Sequence, residues 1–307
     1  MKWTREEMPS LEGQIWVVTG ANSGLGLETV KALAAKGAQV VMACRDPQRA
    51  EAAADEVRKI APQAKLELES LDLASLESIA QFAARLAKTH PVIDGLINNA
   101  GVMAIPRRTT ADGFEMQLGT NHLGHYALSM QLLPLLEKAK APRLISVSST
   151  AHKIGTMNFE DLMGERSYSP WSAYGQSKLA NLLFTYELNR KLSAAGKKTV
   201  AVAAHPGYAA TNLQGVASKM TGSKVNAWFM NVGNSLMAQT ADMGALPTLF
   251  AATGSEVKGG EYFGPDGFME LKGHPRRCDS NKKSKDVVAA QKLWEASEKL
   301  TGVRFPA

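Results

Sequence analysis

Tyr174 and Lys178 stand four positions apart in Trp-Ser-Ala-Tyr-Gly-Gln-Ser-Lys-Leu-Ala-Asn, a stretch whose pattern predicts the start of an amphipathic helix. At that spacing a phenol and an ammonium share one helical face, with Cβ atoms about 5–6 Å apart. A Tyr hydroxyl has an ordinary pKa near 10 and exchanges protons poorly at neutral pH. A fixed cation beside it favours the phenolate and lowers that pKa by roughly 1–3, toward the range where general acid/base catalysis works best. The expected chemistry is proton transfer. Such pairs also occur on solvated helices, so the elements that position this one carry the weight.

Short Val/Ile/Leu runs alternate with Ala-rich helical stretches along the chain, the signature of βαβ units and a parallel sheet. The first strand is expected at Ile15 to Gly20, its helix at Gly24 to Lys36, and the second strand at Ala38 to Ala43. Asp46 and Pro47 then read as a helix cap followed by proline at the first helical position. Further strands are expected around Leu66 to Ser70, Val92 to Ile97, Arg143 to Ser148, Thr199 to Ala204 and Glu261 to Phe263, with a last helix over Val287 to Lys299. No Pro/Gly/Ser-rich linker interrupts this rhythm, which predicts one domain over residues 1–307. Two stretches break the pattern, about 151–172 and 215–239. Long connections at the carboxyl ends of parallel strands are expected to form ligand walls. The alternative is that Met220, Met230 and Met237 merely fill the core.

Thr-Gly-Ala-Asn-Ser-Gly-Leu-Gly, residues 19–26, places Gly20, Gly24 and Gly26 after a strand and at the opening of a helix, with Asn22, Ser23 and Leu25 between them. Glycine lets the backbone approach a pyrophosphate closely, and the helix N-terminus offers unpaired N–H groups. At the end of the second strand an acidic residue would suit the ribose hydroxyls of NAD, and an arginine the 2′-phosphate of NADP. The strand ends Ala-Cys-Arg-Asp. Arg45 occupies the reading position and Asp46 has a sufficient role as a cap, so NADP(H) is the expected cofactor and NAD(H) the less favoured one.

Taken in order, these motifs resemble the short-chain dehydrogenase/reductase family, in its retinol-dehydrogenase-like and carbonyl-reductase branch. The resemblance also rests on Leu71-Asp72-Leu73, Asn98-Asn99-Ala100-Gly101, Asn121-His-Leu-Gly-His125, Ser146-Val-Ser-Ser149, Tyr174-Gly-Gln-Ser-Lys178 and His205-Pro206-Gly207. It implies a doubly wound α/β fold with the Rossmann strand order and an extended substrate cap. It implies cofactor contacts from Asp72, Leu73, Asn99, Ala100 and Gly101 on the adenosine side. Pro206, Gly207 and Thr211 would lie along the nicotinamide and its phosphates. Two of these have other possible duties: Asp72 as cap of the helix near Ser75, and the Asn98–Asn99 pair as support for the sheet.

The same resemblance gives four residues chemical roles. Tyr174 would exchange a proton with a carbonyl or alcohol oxygen, while Lys178 lowers its pKa and binds the nicotinamide ribose. Ser149 would hold the oxygen; Ser148 qualifies equally from local sequence, and the family pattern selects Ser149. Asn121 would position a water leading from Lys178 to solvent. The segment between Ser149 and Tyr174, with His152, Phe159, Tyr168 and Trp171, would wall the substrate. Met157, Met163, Trp171, Met220, Trp228, Phe229 and Met230 point to a bulky, apolar carbonyl or alcohol as the small-molecule partner. The rival readings are a carbon–carbon double-bond reductase, like the protochlorophyllide reductases, and a regulator that senses NADP without turnover.

Composition narrows the remaining classes. Two cysteines, Cys44 and Cys278, argue against a disulfide framework or structural zinc. No apolar run reaches the roughly 18–20 residues of a membrane span, and the charged N-terminus does not resemble a secretory signal. A reduced, cytoplasmic protein is expected, with homo-oligomerisation left open. The net charge of +6 owes much to the stretch Lys272 to Lys285, which lacks interleaved aromatics for base stacking and reads as a solvated basic loop rather than a nucleic-acid surface. His122, His125 and His205 are expected as hydrogen-bonded structural residues, not metal ligands. A Ser149–His152 nucleophile lacks the strained Gly-x-Ser-x-Gly turn of hydrolases.

Overall fold

The computed structural model describes residues 2–208 and 239–306. Among them is one eight-stranded sheet in the order β3-β2-β1-β4-β5-β6-β7-β8. Its strands are β1 (Ile15–Thr19), β2 (Gln39–Cys44), β3 (Lys65–Ser70), β4 (Gly95–Asn98), β5 (Arg143–Val147), β6 (Val200–Ala204), β7 (Tyr262–Pro265) and β8 (Pro275–Arg277). All neighbours pair in parallel except β7 and β8. The connecting helices are α1 (Gly24–Ala35), α2 (Pro47–Ile60), α3 (Leu76–Thr89), the single turn α4 (Met116–Leu118), α5 (Gly124–Leu136), α6 (Pro170–Ala194), α7 (Ala241–Thr253) and α8 (Val287–Thr301). This is the expected Rossmann-like architecture.

The period-2 alternation of strands sends successive side chains to opposite faces, and both faces are covered. Trp16 and Val18 of β1 and Val40 and Met42 of β2 join Val30 and Leu33 of α1 and Leu249 of α7 in one apolar layer. Val17 and Val41, one residue out of phase, join Ile79 and Phe82 of α3, Leu132 of α5 and Trp294 of α8 in the other. A sheet buried on both sides explains why these strands read as continuous Val/Ile/Leu runs. Strand order reverses between β1 and β4, which opens a crevice at their carboxyl ends.

Local punctuation follows the sequence closely. Asp46 caps α2, accepting from Arg49 N at 3.1 Å, with Pro47 at the first turn. Ser75 caps α3, accepting from Ser78 N; Asp72 instead accepts from Ala74 N at 2.9 Å, so it is not the cap of that helix. Strand ends differ from expectation by one to three residues, most at β4, because Val92 and Ile93 precede the ladder. No helix among the described residues is long and apolar enough to cross a membrane.

Three expectations are corrected. Helix α6 is not amphipathic. Every residue from Tyr174 to Thr185 is buried, since its faces pack into separate apolar clusters around Phe184, Leu183 and Leu182. The polar residues that suggested an outward face serve the end of β5: Lys178 Nζ and Asn181 Nδ2 both donate to Val147 O at 3.1 Å. Second, the basic stretch 272–285 is not a solvated loop. It contains β8, whose Pro275 and charged side chains suit a sheet edge. Arg277 pairs with Glu261 at 2.7 Å, and Lys283 donates to Gly155 O at 3.0 Å. The third correction concerns the wall between Ser149 and Tyr174. Met157, Phe159 and Met163 pack against Leu179, Leu183 and Leu293 rather than into the crevice. Tyr168 donates to Ile105 O, and His152 is buried beneath the Ser149 turn.

Candidate active site

The crevice holds a cavity of about 690 Å³. At its β1 end lie Gly20, Asn22, Ser23, Gly24, Leu25 and Gly26. Gly20 and Gly24 have φ of 64° and 52°, the left-handed region that favours glycine. A Cβ on Gly26 would stand 2.2 Å from Gly20 O and 2.6 Å from Asn99 Nδ2, so the turn can close only with glycine there. Ser23 precedes α1 without a side-chain cap bond, and the first N–H groups of the helix face the cavity unpaired by it. Asn99, expected as a cofactor contact or as sheet support, does both: it lines the cavity, and its Nδ2 donates to Thr19 O at 2.8 Å.

Arg45, Asp72, Leu73, Ala100, Gly101, Pro206 and Gly207 line the same space. Thr211 lies outside the described residues, as do Met220, Trp228, Phe229 and Met230. Sequence reasoning missed Arg49, which also lines the cavity. Its signal was available: Asp46 caps the helix at Arg49 N, which places position 49 on the first turn beside Arg45. Neither guanidinium has a carboxylate partner among the described residues.

At the β5 end Ser149, Tyr174 and Lys178 line the cavity. Ser149 Oγ accepts from Ala151 N at 3.2 Å, and its hydroxyl is near enough to the Tyr174 phenol to favour the phenolate. Ser148 also lines the cavity, but its hydroxyl donates to Lys178 O at 2.8 Å and so is committed to α6. The Lys178 ammonium lies 5.7 Å from the Tyr174 ring centroid. The expected acidification of the phenol does not appear: burial pushes Tyr174 up to about 12, opposed only by the Ser149 hydroxyl. Burial likewise brings Lys178 down to about 8. Desolvation outweighs a cation that is held by Val147 O rather than by the phenol.

That depression has a measurable consequence. Between pH 8 and the ordinary lysine value the unfolded chain binds a proton that the folded chain does not, so Lys178 costs stability at neutral pH and the cost fades as pH rises. Lys178→Met should therefore be more stable at pH 7, by on the order of 2–3 kcal/mol, with the gain shrinking toward pH 10. Urea unfolding at both pH values checks this. Val147 O stays satisfied by Asn181 in the variant.

Asn121 is wholly buried and is not among the cavity-lining residues. It sits in a π turn, Gly119–Leu123, between α4 and α5. Its Oδ1 accepts from Val102 N at 2.8 Å and its Nδ2 donates to Val102 O and Ser177 Oγ. A Cβ on Gly101 would meet Asn121 Oδ1 at 3.0 Å and Lys178 Nζ at 3.6 Å, so Asn121 backs the wall between Gly101 and Lys178. His125 braces this turn against β1. Its Nδ1 donates to Asn121 O at 3.0 Å and its Nε2 accepts from Thr19 Oγ1 at 2.9 Å; burial keeps it neutral, with its pKa brought down to about 4. His122 meets Ser297 at 2.8 Å. Both histidines are core hydrogen-bonding residues.

His205, Glu270 and Cys278 bring three ligand-type atoms within 4.8 Å of one another. The ring is set for hydrogen bonding, not for an ion. Its Nδ1 accepts from Gly207 N at 3.2 Å, which leaves the imidazole proton on Nε2 and no lone pair there to coordinate. Lys153 and Arg276, at 3.2 and 3.7 Å, already balance the Glu270 charge.

The family model described as short chain dehydrogenase matches residues 14–222. Human retinol dehydrogenase 13 is 38% identical over 97% of this chain and 87% of its own length, and human retinol dehydrogenase 12 is 39% identical over 96% and 88%. A crystal structure of an uncharacterised protein from Mycobacterium paratuberculosis is 44% identical, covers both chains fully and has a TM-score of 0.83. A short chain dehydrogenase from Shigella flexneri complexed with NADP shares the fold, at 21% identity and a TM-score of 0.63 over 83% of this chain and 98% of that one. With a glycine turn under one end of the crevice and a Ser–Tyr–Lys group at the other, this chain belongs to the short-chain dehydrogenase family of oxidoreductases, in its retinol-dehydrogenase-like branch.

Proposed function

We propose that the protein is an NADP(H)-dependent oxidoreductase that interconverts a bulky, largely apolar aldehyde or ketone with its alcohol. The observation that carries this reading is one cavity shared by the glycine turn, Arg45 and Arg49, and the Ser149–Tyr174–Lys178 group. A dinucleotide fits these residues: the turn leaves no room for a Cβ at Gly26, and the N-terminus of α1 is free to receive phosphate. Arg45 lies at the end of β2 and Ser149 at the end of β5, three strand spacings apart, or about 14 Å. That is the reach of an extended dinucleotide. Asp46 is engaged by Arg49 N, so the β2 end presents cations to a 2′-phosphate.

When bound, the cofactor supplies or accepts the hydride. The chain's residues handle the oxygen and its proton. Ser149 and Tyr174 hydrogen-bond the carbonyl oxygen, and in reduction the Tyr174 proton passes to it as the C–H bond forms; oxidation reverses both transfers. Lys178 holds a positive charge near the phenol, and its ammonium, beside Gly101, would be available to the cofactor's ribose. The side chains next to this point are Val102, Met103, Ile154 and Trp171, and Trp171 sets its ring edge-on to Tyr174 at 6.2 Å. Among the described residues they supply an apolar wall that includes Trp171 but not Met157 or Met163. The activity in the names of the similar proteins, on retinol, is consistent with a long apolar substrate.

The test is oxidation of NADPH and of NADH with a panel of carbonyl compounds, with product identification. Aromatic and long-chain aldehydes should be reduced to alcohols with NADPH. Turnover of small polar aldehydes alone, or reduction of an enone at its carbon–carbon bond, would sink the reading.

A further inference from the structure

The loop between β7 and β8 turns one carboxylate inward while its neighbours face water. Phe268 and Met269 are 83% and 68% exposed, whereas the Glu270 side chain is 13% exposed. Met269 and Glu270 both adopt left-handed backbone, with φ of 52° and 59°. Residues with a Cβ hold that conformation only where their surroundings impose it, commonly beside functional sites. Here the loop is pinned from several directions: His274 N donates to Asp266 Oδ1 at 2.9 Å, Gly267 N to Lys272 O at 3.0 Å, and Tyr208 N to Leu271 O at 2.7 Å.

The inward carboxylate reaches two separate walls of the crevice. Glu270 Oε2 stands 3.2 Å from Lys153 Nζ and 3.5 Å from His205 Nε2. Lys153 ends the turn that Ser149 begins, and within that turn His152 Nδ1 donates to Ser149 O at 2.7 Å. His205 accepts from Gly207 N and so fixes the Pro206–Gly207 corner. Its own Nε2–H is wholly buried and has no hydrogen-bond partner among the described residues, and Glu270 Oε2 is the acceptor oxygen that stands toward it, at 3.5 Å. Gly264 makes the arrangement possible, because a Cβ there would stand 1.9 Å from His205 Nε2.

We propose that Glu270 is a positioning residue for hydride transfer: by tying Lys153 to His205 it sets the separation between Ser149 and the Pro206–Gly207 corner. The inference rests on the nicotinamide-dependent activity proposed above. The carboxylate touches neither substrate nor cofactor. It acts through two segments that do, and reaction rate falls steeply when reacting atoms leave near-attack geometry, about a hundredfold for a misplacement on the order of 1 Å.

The experiment uses the full chain, a carbonyl compound that the wild type reduces, and NADPH with hydrogen or deuterium at the transferred position. Glu270→Gln keeps the size and removes the charge. It should lower kcat by roughly 10–100-fold with the KM for NADPH changed less than about threefold. The melting temperature should move by no more than a few degrees, and the deuterium isotope effect on kcat should grow as hydride transfer becomes limiting. A kcat within about twofold of wild type, or a loss that follows the melting temperature with an unchanged isotope effect, overturns the proposal. Lys153→Met removes a half-exposed partner and serves if Glu270→Gln fails to fold: it should reproduce part of the kcat loss, and an unchanged kcat overturns the proposal equally. A wild type inactive with every carbonyl compound would sink the reductase reading together with this one, whereas an active wild type matched by Glu270→Gln sinks this one alone.

Discussion

Tyr174→Phe is expected to lower kcat/KM for carbonyl reduction by roughly 10²–10⁴-fold, the usual worth of a positioned acid/base group. The fold should survive, because the ring stays packed edge-on to Trp171 and only a hydroxyl is removed. Cofactor affinity should change little, which separates loss of proton transfer from loss of binding. The direction of the pKa shift adds a second readout. With Tyr174 pushed up to about 12 by burial, the hydroxyl stays protonated through the neutral range. Reduction, which consumes that proton, should therefore be nearly flat from pH 6 to about 8 as far as this group is concerned, while alcohol oxidation, which needs the phenolate, should climb with pH. Steady-state rates in both directions across pH provide the measurement. A Phe variant that retains most of its activity would remove Tyr174 from the chemistry, and with it the reading as a reductase of this type.

The second large effect is expected at the other end of the cavity. Replacing Arg45 and Arg49 together by Gln should raise the KM for NADPH by roughly 10²-fold or more while leaving that for NADH within about threefold. The magnitude follows from two hydrogen bonds to a charged group at about 1.5–3 kcal/mol each, partly screened because both side chains are exposed. Neither guanidinium has a carboxylate partner among the described residues, so the substitution breaks no ion pair there and should leave unfolding unchanged. Equal losses with the two nucleotides, or none with either, would show that the β2 end does not read a 2′-phosphate. Each single variant should give a smaller loss, and Arg49 is the informative one because only its place on the first turn of α2 brings it to the cavity.

Much of the scaffold was legible because its signals are local. A glycine turn after β1, an Asp-Pro helix start at Asp46 and Pro47, and Val/Ile/Leu runs at strand length each reflect the chemistry of a few adjacent residues. The Tyr174–Lys178 spacing is likewise a property of one helix. Where the reading failed, the deciding partner lay far away in the chain. The local pattern predicts an amphipathic α6, but Gln176 accepts from Asn158 N and donates to Leu162 O, Ser177 meets Asn121, and Asn181 meets the end of β5. The sequence places Met157 and Met163 in a substrate wall, but their packing with Leu179, Leu183 and Leu293 sets them outside the crevice. Strand β8 carries no β-branched run and is a strand only because β7 offers it an edge.

By itself the sequence determined the order of the first seven strands and the helices between them, the family, and which residue types could exchange a proton or meet a phosphate. The tertiary structure alone decided how those groups are solvated and joined. It buried the phenol enough to raise its pKa where the neighbouring ammonium was expected to lower it, set Asn121 behind the wall instead of in it, and brought Glu270 between Lys153 and His205. Turns and helix caps depend on neighbouring residues, whereas the energy of a buried proton depends on everything packed around it, from every part of the chain.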